Sequence, residues 1–149
     1  MDTAGPISLI LSQKNSALWS IEPDAMVFDA IKLMADKNVG ALPVIAGGKL
    51  QGIVSERDYT RNVILKGRSS KETPVREIMS RHLITATSSD SVSACMLRMT
   101  ENRVRHLPVM DGKELVGILS VGDLVKFIIS AQAATIEQLE RFVTGQTPI

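Results

Sequence analysis

The chain repeats its own sequence at an offset of 65 residues. Residues 21–59 align with residues 86–124 without a gap, and 12 of the 39 aligned pairs are identical, where roughly two or three would be expected by chance. A duplication of this length predicts two copies of one folding unit. Because two copies are too few for a solenoid, we expect the halves to pack against each other as a pair.

Each copy has the same predicted order of elements. After a short strand ending at Ile21 or Ala86, apolar residues recur at helical spacing, with Asp24 or Ser89 as the expected N-cap. Two apolar runs around a Gly-containing turn then predict a β-hairpin, and a second helix follows. Each copy is therefore predicted as strand–helix–strand–strand–helix. The hairpins open with Leu42, Pro43 and Val44 in copy one and with Leu107, Pro108 and Val109 in copy two.

Each hairpin ends in a matching heptapeptide, GIVSERD at residues 52–58 and GILSVGD at residues 117–123. Ser followed three residues later by Asp is a common helix start, in which the Ser caps the helix and the Asp lies in its first turn. The same arrangement suits a nucleotide, because a helix N-terminus attracts phosphate and a carboxylate can accept both ribose hydroxyls. The glycine of each motif would let the strand pass close to such a ligand. From the residues alone, both interpretations stay open for Ser55, Asp58, Ser120 and Asp123.

Together these features resemble a tandem pair of CBS domains, a family named after cystathionine β-synthase. The resemblance rests on the duplicated order of helix, LPV, turn, G-h-h-S-x-x-D and helix, and on RHLPV at residues 105–109. It implies a mixed α/β fold of two β-α-β-β-α units, packed through their sheets with pseudo-two-fold symmetry. We place CBS domains at residues 7–66 and 76–130, a linker at residues 67–75 and a helical tail at residues 131–149.

The resemblance also implies clefts for adenine nucleotides, with AMP, ADP, ATP and NAD as the candidate ligands. In this family the motif Ser contacts phosphate and the motif Asp contacts ribose. Family members commonly form dimers and act as sensors, so we expect a homodimer that signals to a separate target protein of unknown identity. The alternative is a structural dimerisation module whose clefts are vestigial.

The two copies differ in the cationic residues around the motif. Copy one has Arg57 before its Asp, whereas copy two has Arg103, Arg105 and His106 before its LPV run. If the two helix starts lie close together, these groups could bind one phosphate; a solvated surface and a structural histidine are the alternatives. The remaining candidate contacts are Leu42, Pro43, Leu107, Pro108, Ile21, Ile84, Ala86 and Lys14. For Ile21, Ile84 and Ala86 core packing is the alternative, and for Lys14 a free surface position is the preferred alternative.

Composition argues against several other classes of protein. A net charge of +1 and 3% aromatic residues disfavour nucleic-acid binding, since they supply neither a basic surface nor stacking platforms. Cys95 is the only cysteine, which excludes an intrachain disulfide and fits a reducing compartment. The sequence contains no membrane-length apolar run and no secretory signal, so we expect a cytoplasmic protein. It also lacks the common catalytic motifs, so we expect a binding module and not an enzyme.

Overall fold

The structure, a computed structural model, describes residues 5–14 and 18–144. In each copy a helix, a two-stranded hairpin and a second helix follow one another in the predicted order, which gives a mixed α/β fold. The helices are α1 (Ser8–Gln13), α2 (Val27–Lys37), α3 (Glu56–Tyr59), α4 (Val92–Asn102) and α5 (Val121–Val143). The strands are β1 (Ala41–Ala46), β2 (Lys49–Ser55), β3 (His106–Asp111) and β4 (Glu114–Ser120).

The chain divides into two compact units that do not follow the sequence repeat. Residues 18–85 and 108–118 form one, here called the copy-one unit because it holds the helices of copy one. Of the described residues, 5–14, 86–107 and 119–144 form the other, here called the copy-two unit. The N-terminal segment thus belongs to the unit that contains the helices of copy two.

The copy-one unit is built on an antiparallel hairpin of β1 and β2. Ala41 pairs with Ser55 and Val44 pairs with Gly52, so the end of β2 lies beside the start of β1. The turn is Gly47-Gly48, whose φ angles of 57° and 75° are in the region that favours glycine. One apolar core joins this hairpin to α2 and to the segments that follow; it contains Val27, Ala30, Met34, Leu42, Val44, Val54, Val63, Val75, Ile78 and Met79.

Helix α2 begins later than the predicted cap at Asp24. Its N-cap is Met26, which provides no side-chain hydrogen bond. The first helical N–H, that of Val27, donates instead to the backbone carbonyl of Thr73 at 2.8 Å. A backbone acceptor from a distant segment therefore replaces the side-chain cap, so the Asp24 prediction was wrong.

Helix α4 in the copy-two unit begins in a related way. Its N-cap is Ser91, whose hydroxyl accepts from the N–H of Ala94 at 3.0 Å, and not the predicted Ser89. The N–H of Val92 donates to the carbonyl of Gly5 at 3.0 Å. Because the apolar helical pattern starts only at Val92, a cap immediately before it satisfies the first turn.

The two segments that supply these backbone acceptors are equivalent to each other. Pro74 forms a bridge with Met26, and Pro6 forms a bridge with Ser91, the residue that aligns with Met26. Each segment precedes one copy in the chain but contacts the first helix of the other copy. We call residues 5–14 and 73–82 the leaders of copy one and copy two. Their exchange explains why the N-terminal segment lies in the copy-two unit.

Two predicted elements differ from the structure. Ile21 and Ala86 do not end strands: each forms a one-residue bridge, which for Ile21 is a parallel bridge to Val44. The second helices are unequal as well, because α3 is a single turn followed by a π-helical turn at Thr60–Ile64, whereas α5 continues unbroken for 23 residues. The predicted tail is thus, as far as Val143, a continuation of α5.

Candidate functional site

Both Ser-x-x-Asp turns form complete capping boxes. In copy one, the N–H of Asp58 donates to the hydroxyl of Ser55 at 3.2 Å, and the N–H of Ser55 donates to Oδ2 of Asp58 at 2.9 Å. In copy two, the corresponding distances for Asp123 and Ser120 are 3.0 and 2.9 Å. The helix-cap interpretation is therefore confirmed. Among the described residues, every hydrogen bond to these two carboxylates uses Oδ2, which leaves Oδ1 able to accept from a ligand.

The start of each LPV strand lies against the turn. The N–H of Glu56 donates to the carbonyl of Gly40 at 3.1 Å, and the N–H of Val121 donates to the carbonyl of Arg105 at 2.9 Å. Gly40 and Arg105 occupy aligned positions, so the same backbone contact places a cationic residue at the copy-two turn and none at the copy-one turn. The backbone of Arg105 therefore contacts the copy-two turn, its side chain is exposed, and its role in phosphate binding stays a prediction.

Lys14 contacts the motif aspartate of copy two. Its Nζ lies 2.9 Å from Oδ2 of Asp123, and the two side chains are 30% and 24% exposed. The preferred alternative of a free surface lysine was therefore wrong. The sequence places these residues far apart, and the exchange of leaders brings them together.

The two aspartates differ in their pKa values. Burial raises the pKa of Asp58, and the hydrogen bonds from Ser55 with the charges of Arg61 and Arg57 do not cancel this effect. Burial also raises the pKa of Asp123, but the hydrogen bonds from Ser120 and Lys14 and the charge of Lys14 outweigh it. The net pKa of Asp123 thus lies below its ordinary value, while that of Asp58 lies above it.

A cleft of about 390 Å³ opens beside Asp123 within the copy-two unit. This volume is in the range of small-molecule sites. The end of the copy-one leader forms one wall, and successive turns of α5 form the other. The lining residues are Ile10, Gln13, Lys14, Asp123, Lys126, Phe127, Ser130 and Ala131.

Several of these lining residues were not predicted from the sequence. Lys126, Phe127 and Ser130 follow Asp123 at intervals of three, four and seven residues, which places them on the same face of a helix. That spacing was available from the sequence as soon as α5 was assumed. Gln13 could not be found in the same way, because its place beside α5 depends on the leader exchange.

The other predicted cations lie in different surroundings. Arg57 is exposed and acts on Asp58 through its charge. Arg103 ends α4 in the left-handed region, with φ of 54°, and is exposed. His106 begins β3 and is half-buried. Arg61, which also acts on Asp58, was missed, although its spacing of three residues from Asp58 on a helix is a recognisable signal.

Most of the apolar candidates belong to the protein interior. Leu42 and Leu107 are 1% and 0% exposed, so their side chains contribute to the core and any ligand contact would come from their backbone. Ile21 packs against the copy-one core and donates its N–H to the carbonyl of Pro43. Pro43, Pro108 and Ala86 are buried, and Ile84 is half-buried.

Gly52 allows close packing within the chain. The sequence interpretation had explained this glycine by the close approach of a ligand. A Cβ at this position would lie 2.5 Å from the carbonyl oxygen of Ser80 and 3.1 Å from the sulfur of Met79. Ser80 and Ile53 exchange two backbone hydrogen bonds of 2.9 and 3.0 Å, which fixes this close approach. The glycine is therefore explained by contacts within the chain.

Membrane-spanning and metal-binding features are absent from residues 5–14 and 18–144. This part of the chain has no helix long and apolar enough to span a membrane. It also has no group of three or more His, Cys, Asp or Glu side chains placed to hold a metal ion.

Comparison with known sequences identifies the fold family. The CBS domain model matches residues 15–64 and 75–130, which together make up more than half of the chain. The chain belongs to the CBS domain family. A mitochondrial CBS domain-containing protein of Arabidopsis thaliana, CBSX3, is 41% identical over 139 residues, which cover 90% of this chain and 67% of that protein. Because this relative is named as mitochondrial, the cytoplasmic location stays a prediction. Our boundaries for the two domains, the linker and the tail also stay predictions.

Solved structures share the fold of this CBS pair. A candidate signal-transduction protein with CBS domains from Burkholderia ambifaria is 47% identical, has a TM-score of 0.82 and is matched over 85% of this chain and 96% of its own. The CBS domain pair of protein MJ0100 is 23% identical with a TM-score of 0.73, over 86% of this chain and 98% of its own. That protein was crystallised with 5-methylthioadenosine and S-adenosyl-L-methionine. At this identity the likeness concerns the fold alone.

Proposed function

We propose that this CBS pair is a regulatory module that binds an adenosine-containing ligand beside Asp123 and signals to a separate protein. The observation that carries the proposal is the cleft of about 390 Å³, which joins a helix N-terminus, a carboxylate and two lysines. The adenosyl ligands of the MJ0100 pair support the ligand class.

Each group in the cleft has a part that its chemistry suits. Oδ1 of Asp123 would accept the ribose hydroxyls, since Oδ2 is occupied by the cap and by Lys14. Ser120 and the first turn of α5 would bind a phosphate, with Lys14 and Lys126 as counter-charges. Lys14 would then contact Asp123 in the free protein and a phosphate in the complex.

The charges of the cleft favour phosphorylated ligands. Lys14, Lys126 and the nearby Arg105 attract an anion, so AMP, ADP, ATP and NAD are preferred over the cationic S-adenosylmethionine. In copy one, Ser55, Arg57 and Asp58 form a second candidate site. It is the second candidate because no lysine pairs with Asp58 among the described residues, whereas Lys14 pairs with Asp123. Roles for Arg103 and His106 in phosphate binding remain predictions.

Thermal unfolding with each ligand tests the proposal. After bound nucleotide has been removed, AMP, ADP, ATP, NAD, S-adenosylmethionine and 5-methylthioadenosine would be added separately. A ligand at a hundred times its Kd stabilises by about 2.7 kcal/mol, or on the order of 5–10 °C for a chain of this size. We expect a rise in Tm with a phosphorylated ligand.

A matched pair of variants locates the binding cleft. Asp123→Asn and Asp58→Asn both keep an oxygen for the cap and both remove the carboxylate. We expect Asp123→Asn to abolish the ligand-dependent rise in Tm and Asp58→Asn to retain it. The opposite pattern would move the site to copy one, and no rise with any ligand would reject ligand binding.

The alternative function is a structural dimerisation module without a bound nucleotide. It predicts a stable dimer whose Tm is the same with and without every ligand. An enzymatic function is tested by incubating the protein with ATP or NAD and looking for product. Any turnover would contradict a purely regulatory role.

A further inference from the structure

The leader of copy one crosses the copy-two unit and ends in the candidate cleft. The N–H of Ile7 donates to the carbonyl of Asp90 at 2.9 Å, and the N–H of Ser8 donates to the carbonyl of Ser88 at 3.1 Å. The residues that the leader contributes to the cleft lining are Ile10, Gln13 and Lys14. Because this segment forms one wall, the cleft is complete only while the leader is docked.

Fewer residues are buried in this leader than in the leader of copy two. Within residues 5–14, the buried residues are Ile7 and Ile10. Within the equivalent residues 73–82, they are Thr73, Pro74, Val75, Ile78 and Met79. A segment with few buried apolar contacts opens locally before the protein unfolds as a whole. The copy-one leader is therefore the more easily released of the two.

A single carboxylate oxygen connects the end of the leader to the start of α5. Oδ2 of Asp123 accepts from the N–H of Ser120 at 2.9 Å and from Nζ of Lys14 at 2.9 Å. Both members of the ion pair are partly exposed, so the pair is weak enough for Lys14 to exchange Asp123 for an anionic group of a ligand. The attachment of the leader therefore depends on what binds at this turn.

Phe127 adjoins both the leader and the cleft. A Cβ built on Gly5 would lie 3.9 Å from Cζ of Phe127, so the leader backbone passes close to the ring. The ring is half-buried and also lines the cleft. The start and the end of the leader thus both adjoin residues of the cleft lining.

We propose that the copy-one leader, residues 5–14, is a strap whose docking is stabilised by an anionic ligand in the cleft. Since the strap forms a wall of the cleft assigned to the ligand above, its regulatory role rests on the proposed function. A ligand between the leader and α5 contacts both walls, so it binds the docked state and not the open one. Its phosphate replaces Asp123 as the partner of Lys14 and keeps the strap attached. By reciprocity, release of the strap weakens ligand binding.

Amide hydrogen exchange of the full chain measures the docking of the strap without a ligand. The N–H groups of Ile7 and Ser8 report on the strap. Those of Val75 and Arg76, which donate to the aligned carbonyls of copy one at 2.8 and 2.9 Å, report on the copy-two leader. We expect exchange through local opening to be about tenfold or more faster in the strap. Equal exchange in the two leaders would overturn the proposal.

Two lysine variants test the ion pair by the same measurement. Lys14→Met keeps the aliphatic part of the side chain and should raise exchange at Ile7 and Ser8 several-fold, because one attachment of the strap is lost. Lys126→Met removes a cation from the same cleft but keeps the ion pair, so these rates should not change in the absence of ligand. Identical rates in wild type and Lys14→Met would contradict the proposal.

The link to the ligand is tested with the nucleotide that raises Tm most among AMP, ADP, ATP and NAD. At a hundred times its Kd, a ligand that binds only the docked state slows the local opening about a hundredfold. We expect this slowing at Ile7 and Ser8 but not at Gly67, whose N–H donates to Ile64 at 3.1 Å in a turn of the copy-one unit. A rise in Tm without slower exchange in the strap would overturn the strap and leave the proposed function standing. No rise in Tm with any of the four would reject the proposed function, and the stabilisation of the strap by a ligand with it.

A disulfide clamp distinguishes release of the strap from a general loss of stability. In a Cys95→Ala background, Pro6→Cys with Ser91→Cys joins the two residues of the strap's backbone bridge. Met26→Cys with Pro74→Cys joins the two residues of the aligned bridge in the copy-one unit and is the matched control. Partners in an antiparallel bridge are close enough for a disulfide, and the reduced form of each variant is its own reference.

The clamps are combined with Ile7→Ala, which removes a buried side chain outside the cleft lining. We expect this variant to bind the nucleotide several-fold more weakly, because opening of the strap competes with binding. Oxidation of the strap clamp should restore the affinity, whereas oxidation of the control clamp should not. Unchanged affinity in Ile7→Ala, or rescue by neither clamp or equally by both, would contradict the proposal.

Discussion

The two Ser-x-x-Asp turns have the same pattern of capping hydrogen bonds but different electrostatic surroundings. Asp58 and Asp123 each accept the N–H of the preceding Ser at 2.9 Å. Asp123 also accepts from Lys14, and its pKa is lowered, whereas burial raises the pKa of Asp58. Local sequence therefore determines the turn, and the surroundings, including contacts from elsewhere in the chain, determine the direction in which the pKa of its carboxylate shifts.

The exchanged leaders account for this difference. Lys14 follows α1 in the leader of copy one, and that leader packs beside copy two. Matching Pro6 with Pro74 aligns Lys14 with His82, which is exposed and has no ion pair with Asp58 among the described residues. The difference between Lys14 and His82 in the exchanged segments thus adds to the cationic differences between the two sites.

The largest effect that we expect is from Gly52→Ala. The new Cβ would meet the carbonyl of Ser80 at 2.5 Å, and overpacking of this kind typically costs about 1–3 kcal/mol. Gly122→Ala is the control, because a Cβ there would lie 3.5 Å from the Ser120 hydroxyl at the start of α5 and Ala is the better helix former. Urea unfolding should show a loss of stability for the first variant only. Equal effects would mean that the tight approach is unimportant.

The next effect distinguishes the two helix caps. Ser120→Ala and Ser55→Ala each remove a cap, at a typical cost of about 1 kcal/mol. We expect the larger loss for Ser120→Ala, since Ser120 starts a helix of 23 residues and Ser55 starts a single turn. The free energy of unfolding at neutral pH measures both. A larger loss for Ser55→Ala would show that helix length does not govern the contribution of the cap.

Periodicity and turn signals predicted much of the fold. The hairpins and both capping boxes follow from local patterns, which act over a few residues. Leu42 and Leu107 were predicted as ligand contacts, whereas their side chains lie in the core. The caps at Asp24 and Ser89 were predicted wrongly because the prediction used only the local residue type. In the structure, backbone acceptors from a distant segment also determine where each helix starts. Local signals do not include such acceptors.

The candidate site was only partly predictable. Asp123 and Ser120 were found because the motif is duplicated, and Lys126 could have been found from helical spacing. The contact between Lys14 and Asp123 could not, because it depends on which copy the leader packs against. Sequence periodicity contains no information about that choice, since both copies have leaders of the same type.

Replacing Lys14 tests the electrostatic difference directly. Lys14→Met keeps the aliphatic part of the side chain and removes the ion pair, which should cost less than about 1 kcal/mol because both partners are partly exposed. Carboxyl NMR titration should show the pKa of Asp123 rising, so that the two aspartates become alike. Arg57→Met, which replaces an exposed cation in copy one, is the control and should leave the pKa of Asp123 unchanged. An unaltered Asp123 pKa in Lys14→Met would contradict the role of the ion pair.

The smallest expected effect, and the most specific, is the pH dependence of the two Asp→Asn variants. The pKa of Asp123 is lowered by folding, so its carboxylate contributes stability above the unfolded-state pKa that is lost as the pH falls through the folded-state pKa. The pKa of Asp58 is raised by folding, so its contribution is present below the unfolded-state pKa and is lost as the pH rises through the folded-state pKa.

Between acidic and neutral pH the two variants should therefore diverge. Relative to wild type, Asp123→Asn should become less stable and Asp58→Asn more stable as the pH rises, each by less than about 1 kcal/mol because both groups are partly exposed. Urea unfolding across this pH range measures the difference, and the shared capping geometry makes each variant the control for the other. Trends of the same sign would mean that the two turns are electrostatically equivalent, and the distinction between their carboxylates would then have to come from a bound ligand.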